Sequence, residues 1–197
     1  DGRKVLIGWM GLPEIEYPSD KNGWAHCLTI PRELNLKNNK LTQKPIHELK
    51  ILRNKKIRQT YILQNEEIII NNFNEKIYEM ICIFKRIEGK KVGIKLKKGD
   101  TEETLFYYDI QQSKLIFDRG NSGENFATKY GSKRMCNYDG NYLKIHAFVD
   151  ISSVEIFIND GEEVFTSRIF NSSTSTNINL FAQGYADVDL KLYTLLS

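Results

Sequence analysis

The chain has 197 residues, of which 41% are hydrophobic, and its formal net charge at pH 7 is +3. This length allows one large or two small domains with a substantial core, which excludes a disordered protein. The charge is too small, and its carriers are too evenly scattered, for a nucleic-acid or membrane-surface partner. No stretch is apolar for long enough to span a bilayer.

Taken in chain order, residues 1–38 are predicted to form a strand, a long loop and a second strand. The strands cover residues 5–10 and 24–30, and the intervening loop, residues 11–23, is rich in Gly and Pro. A long loop between two strands often carries function. The only predicted helix covers residues 45–53, with Pro45 at its start. A change in composition near residue 40 indicates a domain boundary.

From about residue 57 onward, apolar and polar residues alternate with the period of two that is typical of strands. The segment Asn159-Asp160-Gly161 predicts a tight hairpin turn, because these residue types tolerate a positive φ. Many short strands separated by turns predict an all-β fold, either an antiparallel sandwich or a barrel. The predicted strands are residues 57–63, 77–86, 92–96, 105–110, 114–118, 143–149, 154–158, 163–170, 178–182 and 188–195.

The three cysteines, Cys27, Cys82 and Cys136, are odd in number and far apart, which argues against a disulfide framework. Neither Cys-x-x-Cys nor His-x-x-x-His spacing occurs, so we expect no metal site and no cofactor. Buried thiols in a reducing compartment predict a cytoplasmic protein. The chain starts without Met or a signal-peptide pattern and runs directly into an apolar strand, so we expect a piece of a longer protein.

Two groups of residues in the first segment could contact a substrate. Trp9, at a strand end, could stack on a sugar ring, although a place in the core is the alternative. Glu14 and Glu16 have a spacing that paired glycosidase carboxylates can adopt, although a solvated loop explains them more simply.

Two further candidates favour structural explanations. Asn159 and Asp160, with the acidic residues that follow, could bind calcium, but hairpin chemistry accounts for them fully. His26 lies in an apolar strand and is expected to be a packed histidine. Without a Gly-x-Ser-x-Gly motif, no nucleophilic triad is predicted.

Several runs of residues resemble the family 32 glycoside hydrolases, which include invertases, sucrose-6-phosphate hydrolases and fructan hydrolases. The N-terminal runs are Gly8-Trp9-Met10, Glu14-Ile15-Glu16-Tyr17-Pro18 and residues 23–34. Phe117-Asp118-Arg119-Gly120-Asn121-Ser122-Gly123 and residues 148–161 are similar to motifs of that family's sandwich domain. The resemblance covers nearly the whole chain and is greatest to the bacterial sucrose-6-phosphate hydrolases, although residues 55–100 are weakly diagnostic.

The resemblance implies a five-bladed β-propeller that holds the active site, followed by an antiparallel β-sandwich of the lectin-like jelly-roll type. Residues 1–38 would be the remnant of the last propeller blade, residues 39–56 a linker with a short helix, and residues 57–197 the sandwich. Trp9 would then face the propeller centre, and it is the one residue predicted to bind substrate.

The catalytic motifs of the resembled family do not occur in this sequence. They are an Asn-Asp-Pro segment with the nucleophile, an Arg-Asp-Pro segment that stabilises the transition state, and a Glu-Cys segment with the acid/base. Retaining hydrolysis needs one carboxylate to attack and another to protonate the leaving oxygen. We therefore predict no catalytic residue in the chain and no hydrolysis by the chain alone.

Three hypotheses for its role follow. The chain could support the propeller, so that its partners are that domain and, through it, a sucrose-type sugar. It could be a free-standing carbohydrate-binding module if Tyr107, Tyr108, Tyr138 and Tyr142 form an exposed platform. It could also self-associate as a homo-oligomer. Sucrose, sucrose 6-phosphate and fructans all remain open as substrates of the parent protein.

Overall fold

The computed structural model describes residues 1–196, and nearly all of its regular structure is β-strand. The predicted all-β fold with an antiparallel sandwich is confirmed. No helix in this range has the length and apolar character needed to cross a membrane. The strands are β1 (Lys4–Leu6), β2 (Trp9–Met10), β3 (Cys27–Leu28), β4 (Arg32–Lys37), β5 (Lys40–Pro45), β6 (Arg53–Ile69), β7 (Tyr78–Lys98), β8 (Thr104–Asp109), β9 (Lys114–Asp118), β10 (Lys133–Asn137), β11 (Tyr142–Val149), β12 (Ser153–Ile158), β13 (Glu163–Arg168) and β14 (Asn177–Leu195). Short 3₁₀ helices occupy Asp20–Asn22, His47–Leu52 and Thr128–Tyr130.

The N-terminal strands form two small sheets. Strand β4 lies between β1 and β5 in an antiparallel sheet, and β2 pairs with β3. Apolar side chains of these strands face solvent, with Leu28 63%, Leu36 75% and Leu41 57% exposed. Large apolar residues are normally buried, so one face of these sheets lacks a covering layer.

The sandwich depends on three long strands, β6, β7 and β14, each of which contributes to both layers. The first half of β7 pairs with β11, and its second half pairs with β8. Strand β14 follows β7 through both halves and carries β6 on its other side. One layer continues through β8, β9 and β10, and the other continues through β11, β12 and β13.

A pair of glycines lets the long strands bend from one layer to the other. Gly89 and Gly184 are paired across β7 and β14 at a shift in register. Their φ angles are +108° and +137°, and a Cβ built on Gly184 would lie 2.0 Å from the Glu88 carbonyl oxygen. Neither position accommodates a side chain, because the two backbones approach each other too closely.

The core fills the space between the two layers. In β7 the alternate residues Met80, Cys82 and Phe84 are fully buried, and in β11 the same holds for Leu143 and Ile145. This period-two burial follows from the alternation of side chains across a strand. The alternation predicted from about residue 57 onward therefore identifies the core.

The structure differs from the predicted elements in the first third of the chain. The predicted strand 5–10 is divided, because β1 pairs with β4 whereas β2 pairs with β3. Within the predicted linker, residues 39–56, lie β5, the start of β6 and a 3₁₀ helix, His47–Leu52, in place of the predicted helix over 45–53. Residues 40–45 are too polar for their pattern to indicate a strand, and pairing with β4 gives this segment its strand conformation.

Two differences also occur within the sandwich. Residues 77–86 and 92–96, predicted as separate strands, are one strand, β7, and residues 178–182 and 188–195 are likewise joined in β14. The glycines between them act as bends and not as turns. Strand β10 was not predicted, because four of its five residues are exposed and its apolar and polar residues alternate only weakly.

Candidate functional site: the cleft between the N-terminal strands and the sandwich

A buried ion pair fixes β4 to the sandwich. Arg32 and Glu155, from β4 and β12, are 6% and 3% exposed. The Arg32 guanidinium donates to Glu155 and, through Nη1, to Gln43 Oε1 at 3.0 Å. The other Glu155 oxygen accepts the backbone N–H of Ile30 at 2.8 Å. Hydrogen-bonded charges removed from water in this way give strong and directional contacts.

A second buried arginine, Arg168 at the end of β13, holds the long N-terminal loop. Its Nη1 donates to the carbonyl oxygen of Ala25 at 3.0 Å. The guanidinium carbon lies 4.9 Å from the Trp24 ring centroid, 5.4 Å from that of Tyr17 and 5.0 Å from that of Phe170. Aromatic faces attract a cation, and the attraction grows where water is excluded.

A third charged cluster surrounds the start of β6. Glu79 is 1% exposed and accepts hydrogen bonds from Arg53 Nε and from His146 Nε2, each at 2.6 Å. Burial opposes its ionisation, but these two hydrogen bonds hold the pKa of Glu79 below its ordinary value. Arg53 also lies 4.1 Å from the Tyr193 ring centroid. The segment that links the N-terminal strands to the sandwich is therefore anchored at its end.

Arg32 and Arg168 both line a cleft of about 460 Å³, which we call the interdomain cleft. Its walls come from residues 9–17 on one side, from residues 119–134 on the other, and from the end of β13. Trp9 lies at its mouth with 53% of its surface exposed, and its ring meets that of His26 edge-on at 4.7 Å. Gly11 lies against the same imidazole, where a Cβ would approach to 2.3 Å.

Two family models match almost the entire chain. The model described as the glycosyl hydrolases family 32 N-terminal domain matches residues 1–45, and the model described as glycosyl hydrolases family 32 C terminal matches residues 48–194. The chain belongs to glycosyl hydrolase family 32. The family suggested by the sequence motifs is thereby confirmed.

Similar proteins agree with this membership. A sucrose-6-phosphate hydrolase from Staphylococcus xylosus is 40% identical over 90% of the chain, and a raffinose invertase from Escherichia coli is 30% identical over 92%. The chain spans only 36% and 37% of the length of these two relatives. The solved structure of a sucrose-6-phosphate hydrolase from Lactobacillus gasseri matches all of the chain and 39% of that protein, with a TM-score of 0.87 and 31% identity. An exo-inulinase structure from Aspergillus awamori matches 98% of the chain and 40% of its own length, with a TM-score of 0.82 and 27% identity.

The two carboxylates of the predicted pair, Glu14 and Glu16, lie in different environments. Glu14 Oε1 accepts a hydrogen bond from the Tyr130 hydroxyl at 2.6 Å, and this bond holds the pKa of Glu14 below its ordinary value. Glu16 is exposed and lines a neighbouring depression with Phe126. Glu14 thus connects the N-terminal loop to the sandwich across the rim of the interdomain cleft, while Glu16 is solvated.

The turn at residues 159–161 has a docking role that the sequence did not indicate. Asn159, Asp160 and Gly161 all have positive φ, as predicted for a tight hairpin turn. Asp160 accepts from Lys144 Nζ at 2.7 Å, and no metal-binding cluster of His, Cys, Asp or Glu occurs among residues 1–196. The Gly161 carbonyl oxygen accepts the backbone N–H of Gln43 at 2.9 Å. The turn therefore contacts β5 through a backbone hydrogen bond.

The sequence interpretation missed the arginines that build the cleft and its anchors. Arg32 and Glu155 are 123 residues apart, and Arg168 and Ala25 are 143 apart, so no local pattern joins them. Glu155 did carry a signal. All six residues of β12 are buried, and a carboxylate inside such a strand requires a buried donor.

Proposed function

We propose that the chain is the C-terminal part of a β-fructofuranosidase that hydrolyses sucrose or sucrose 6-phosphate with retention of configuration. In this proposal the sandwich is a supporting domain that holds the last strands of the propeller in place. The catalytic carboxylates lie elsewhere in the parent protein, so the chain alone is inactive. The substrate class rests on the relatives, several of which are sucrose-6-phosphate hydrolases.

One observation carries the supporting role. The N-terminal strands expose Leu28, Leu36 and Leu41 to solvent, while the buried Arg32–Glu155 pair fixes β4 to the sandwich. A sheet with an uncovered apolar face is incomplete as a domain. The remaining propeller blades are the partner that would cover it, since the chain spans 36% of the length of its Staphylococcus xylosus relative and the N-terminal family model matches residues 1–45.

Trp9 is the residue of the chain that we propose to contact the sugar. Its indole is more than half exposed at the mouth of the interdomain cleft, and contact with His26 fixes the orientation of the ring. A fixed aromatic face suits the C–H groups of a sugar ring. Replacing Trp9 by Leu should raise KM of the parent enzyme without changing its thermal unfolding by more than about 2 °C, because the side chain is exposed.

Product stereochemistry tests the proposed reaction. Proton NMR of the parent protein acting on sucrose should show β-fructofuranose as the first product, before mutarotation, because retaining enzymes use two displacements. Release of the α anomer first would contradict the proposed mechanism, and absence of any fructose from either substrate would contradict the proposed activity.

The carbohydrate-module hypothesis depended on four tyrosines that do not form one exposed platform. Tyr107 and Tyr108 are neighbours in β8 and therefore point to opposite faces. Tyr108 is 2% exposed and meets Tyr138 edge-on, with ring centroids 4.9 Å apart. Without a common platform, no observation favours this role over support of the propeller. A homo-oligomer remains a prediction that sedimentation would test.

A further inference from the structure

Arg168, at the end of β13, is a buried cation whose partners carry no charge. It is 5% exposed. Among residues 1–196, its guanidinium donates only to neutral oxygens, which are the carbonyl oxygens of Ser152 and Ala25, each at 3.0 Å, and the hydroxyls of Ser19 and Ser152, at 3.3 Å and 3.4 Å. A buried charge without an opposite charge is costly for folding. The contacts that Arg168 makes therefore have to offset that cost.

Most contacts of Arg168 are with the N-terminal loop. The guanidinium carbon lies 5.4 Å from the Tyr17 ring centroid and 4.9 Å from that of Trp24. Ala25, which accepts one of its hydrogen bonds, comes directly before His26 in the chain. One side chain of the sandwich thus fixes the conformation of residues 17–25, and these residues lead to the segment that carries His26.

Aromatic rings continue this contact from Tyr17 to Trp9. Tyr17 is 7% exposed, and its ring meets the His26 imidazole edge-on, with centroids 5.2 Å apart. The imidazole meets the Trp9 ring edge-on in turn, at 4.7 Å. Because aromatic pairs prefer a defined mutual angle, each ring restricts the orientation of the next. Arg168, Tyr17, His26 and Trp9 therefore form a continuous row, which we call the ring row, from β13 to the mouth of the interdomain cleft.

The place of His26 in the ring row is not explained by hydrogen bonding. Its Nε2 atom is buried and has no hydrogen-bond partner within residues 1–196. An unpaired buried nitrogen costs free energy. Gly11 leaves the space that the imidazole fills, since a Cβ there would lie 2.3 Å from His26 Cδ2. What this costly arrangement provides is contact with Tyr17 on one side and with Trp9 on the other.

We propose that Arg168 is a positioning residue for sugar binding, which acts through Tyr17 and His26 on the orientation of Trp9. Because β13 belongs to the sandwich, this domain then affects how tightly the parent protein holds its substrate, in addition to supporting the N-terminal strands. An indole that contacts the sugar before and during the reaction contributes to binding more than to the chemical step. The inference rests on the proposed contact between Trp9 and the sugar.

Kinetics of the parent protein test the coupling between Arg168 and Trp9. We would measure KM and kcat for sucrose in wild type, Arg168→Lys, Trp9→Leu and the variant with both changes. Lysine keeps the charge but lacks the planar guanidinium that lies over the rings, so KM should rise roughly fivefold while kcat changes less than about twofold. In the Trp9→Leu background, Arg168→Lys should have no further effect on KM, because the ring that Arg168 positions is absent.

A second arginine provides the matched control. Arg53 is also largely buried and lies over an aromatic ring, with its guanidinium carbon 4.1 Å from the Tyr193 centroid, but it is outside the ring row. Arg53→Lys should leave KM unchanged even if it lowers Tm. If Trp9→Leu raises KM and Arg168→Lys does not, or if their effects multiply in the double variant, the inference is overturned and the proposed function stands. An unchanged KM in Trp9→Leu would contradict the proposed sugar contact itself.

Tryptophan fluorescence tests the ring row without any turnover. In residues 1–197, Trp24→Phe leaves Trp9 as the single tryptophan and keeps an aromatic ring beside Arg168. In this background, time-resolved anisotropy should show at least a roughly twofold larger amplitude of nanosecond indole motion after Arg168→Lys and after His26→Leu. His26→Leu removes an unpaired buried nitrogen, so it should fold even if Arg168→Lys does not. Unchanged indole motion in the folded variants would overturn the inference, whether or not the parent protein hydrolyses sucrose.

Discussion

The Arg32–Glu155 pair gives a direct way to perturb the contact between the N-terminal strands and the sandwich. Replacing Glu155 by Gln keeps the size of the side chain and an oxygen that can accept the N–H of Ile30. It removes the negative charge that faces a guanidinium that is 6% exposed. Arg32 would keep only its neutral partners, Gln43 and Thr166.

The size of the effect follows from burial. Breaking a buried pair by removing one partner costs about 3–5 kcal/mol, because the remaining charge is desolvated without compensation. For a chain of this length, that cost corresponds to a decrease in Tm of roughly 6–20 °C. The exposed pair Lys21–Glu124, with side chains 64% and 54% exposed, also joins the N-terminal loop to the sandwich. Because water screens it, Glu124→Gln should cost no more than about 1 kcal/mol.

Urea unfolding of residues 1–197, followed by tryptophan fluorescence, is the appropriate assay. Both tryptophans lie in the N-terminal segment, so their fluorescence reports loss of its contact with the sandwich. The double variant Arg32→Met/Glu155→Leu should recover most of the lost stability, since it leaves no unpaired charge. Equal losses for Glu155→Gln and Glu124→Gln would refute the argument that burial makes the first pair important.

Three further predictions concern the sandwich. Gly184→Ala should destabilise the chain by roughly 2 kcal/mol more than Gly131→Ala in urea unfolding, since its Cβ would meet the Glu88 carbonyl oxygen, whereas no atom lies within 4 Å at Gly131; similar losses would contradict the close approach of the strands. Folding lowers the pKa of Glu79, so the stabilisation by this carboxylate is present above its unfolded pKa and is lost as the pH falls. The difference in unfolding free energy between wild type and Glu79→Gln should therefore shrink from about pH 6 to about pH 3. A pH-independent difference would contradict the stabilising role of the ionised Glu79. Cys82 is fully buried and burial raises its pKa, so dithionitrobenzoate should modify it only after unfolding; rapid reaction in the native chain would contradict its position in the core.

The sequence pattern predicted those parts of the fold that depend on interactions between residues close together in the chain. The alternation of apolar and polar residues predicted β11 and β12, and the positive φ of Asn159 and Asp160 was predicted from residue type. The bend at Gly89 could not be distinguished from a turn, because both use a glycine with positive φ. Only the pairing of β7 with β14 on both sides of the glycine makes it one strand.

The candidate site was much less predictable than the sandwich. Trp9 was singled out from its place at a strand end, and it does lie at the mouth of a cleft. Its role in sugar binding stays a prediction. The charged residues around it, Arg119, Arg134 and Arg168, come from separate parts of the sandwich, and their proximity depends on how the N-terminal loop docks. Such contacts depend on tertiary structure, which a single sequence does not encode in any short pattern.

The release of fructose by two proteins, measured side by side, tests whether the catalytic groups lie outside residues 1–197. One is the parent protein that contains residues 1–197, and the other is residues 1–197 alone, each at the same concentration with sucrose and with sucrose 6-phosphate. We expect fructose from the parent protein and none above background from the chain alone, because neither the nucleophile nor the acid/base motif of family 32 occurs in this sequence. Turnover by the chain alone that is abolished by a substitution within residues 1–197 would contradict the proposal that the catalytic groups lie elsewhere in the parent protein.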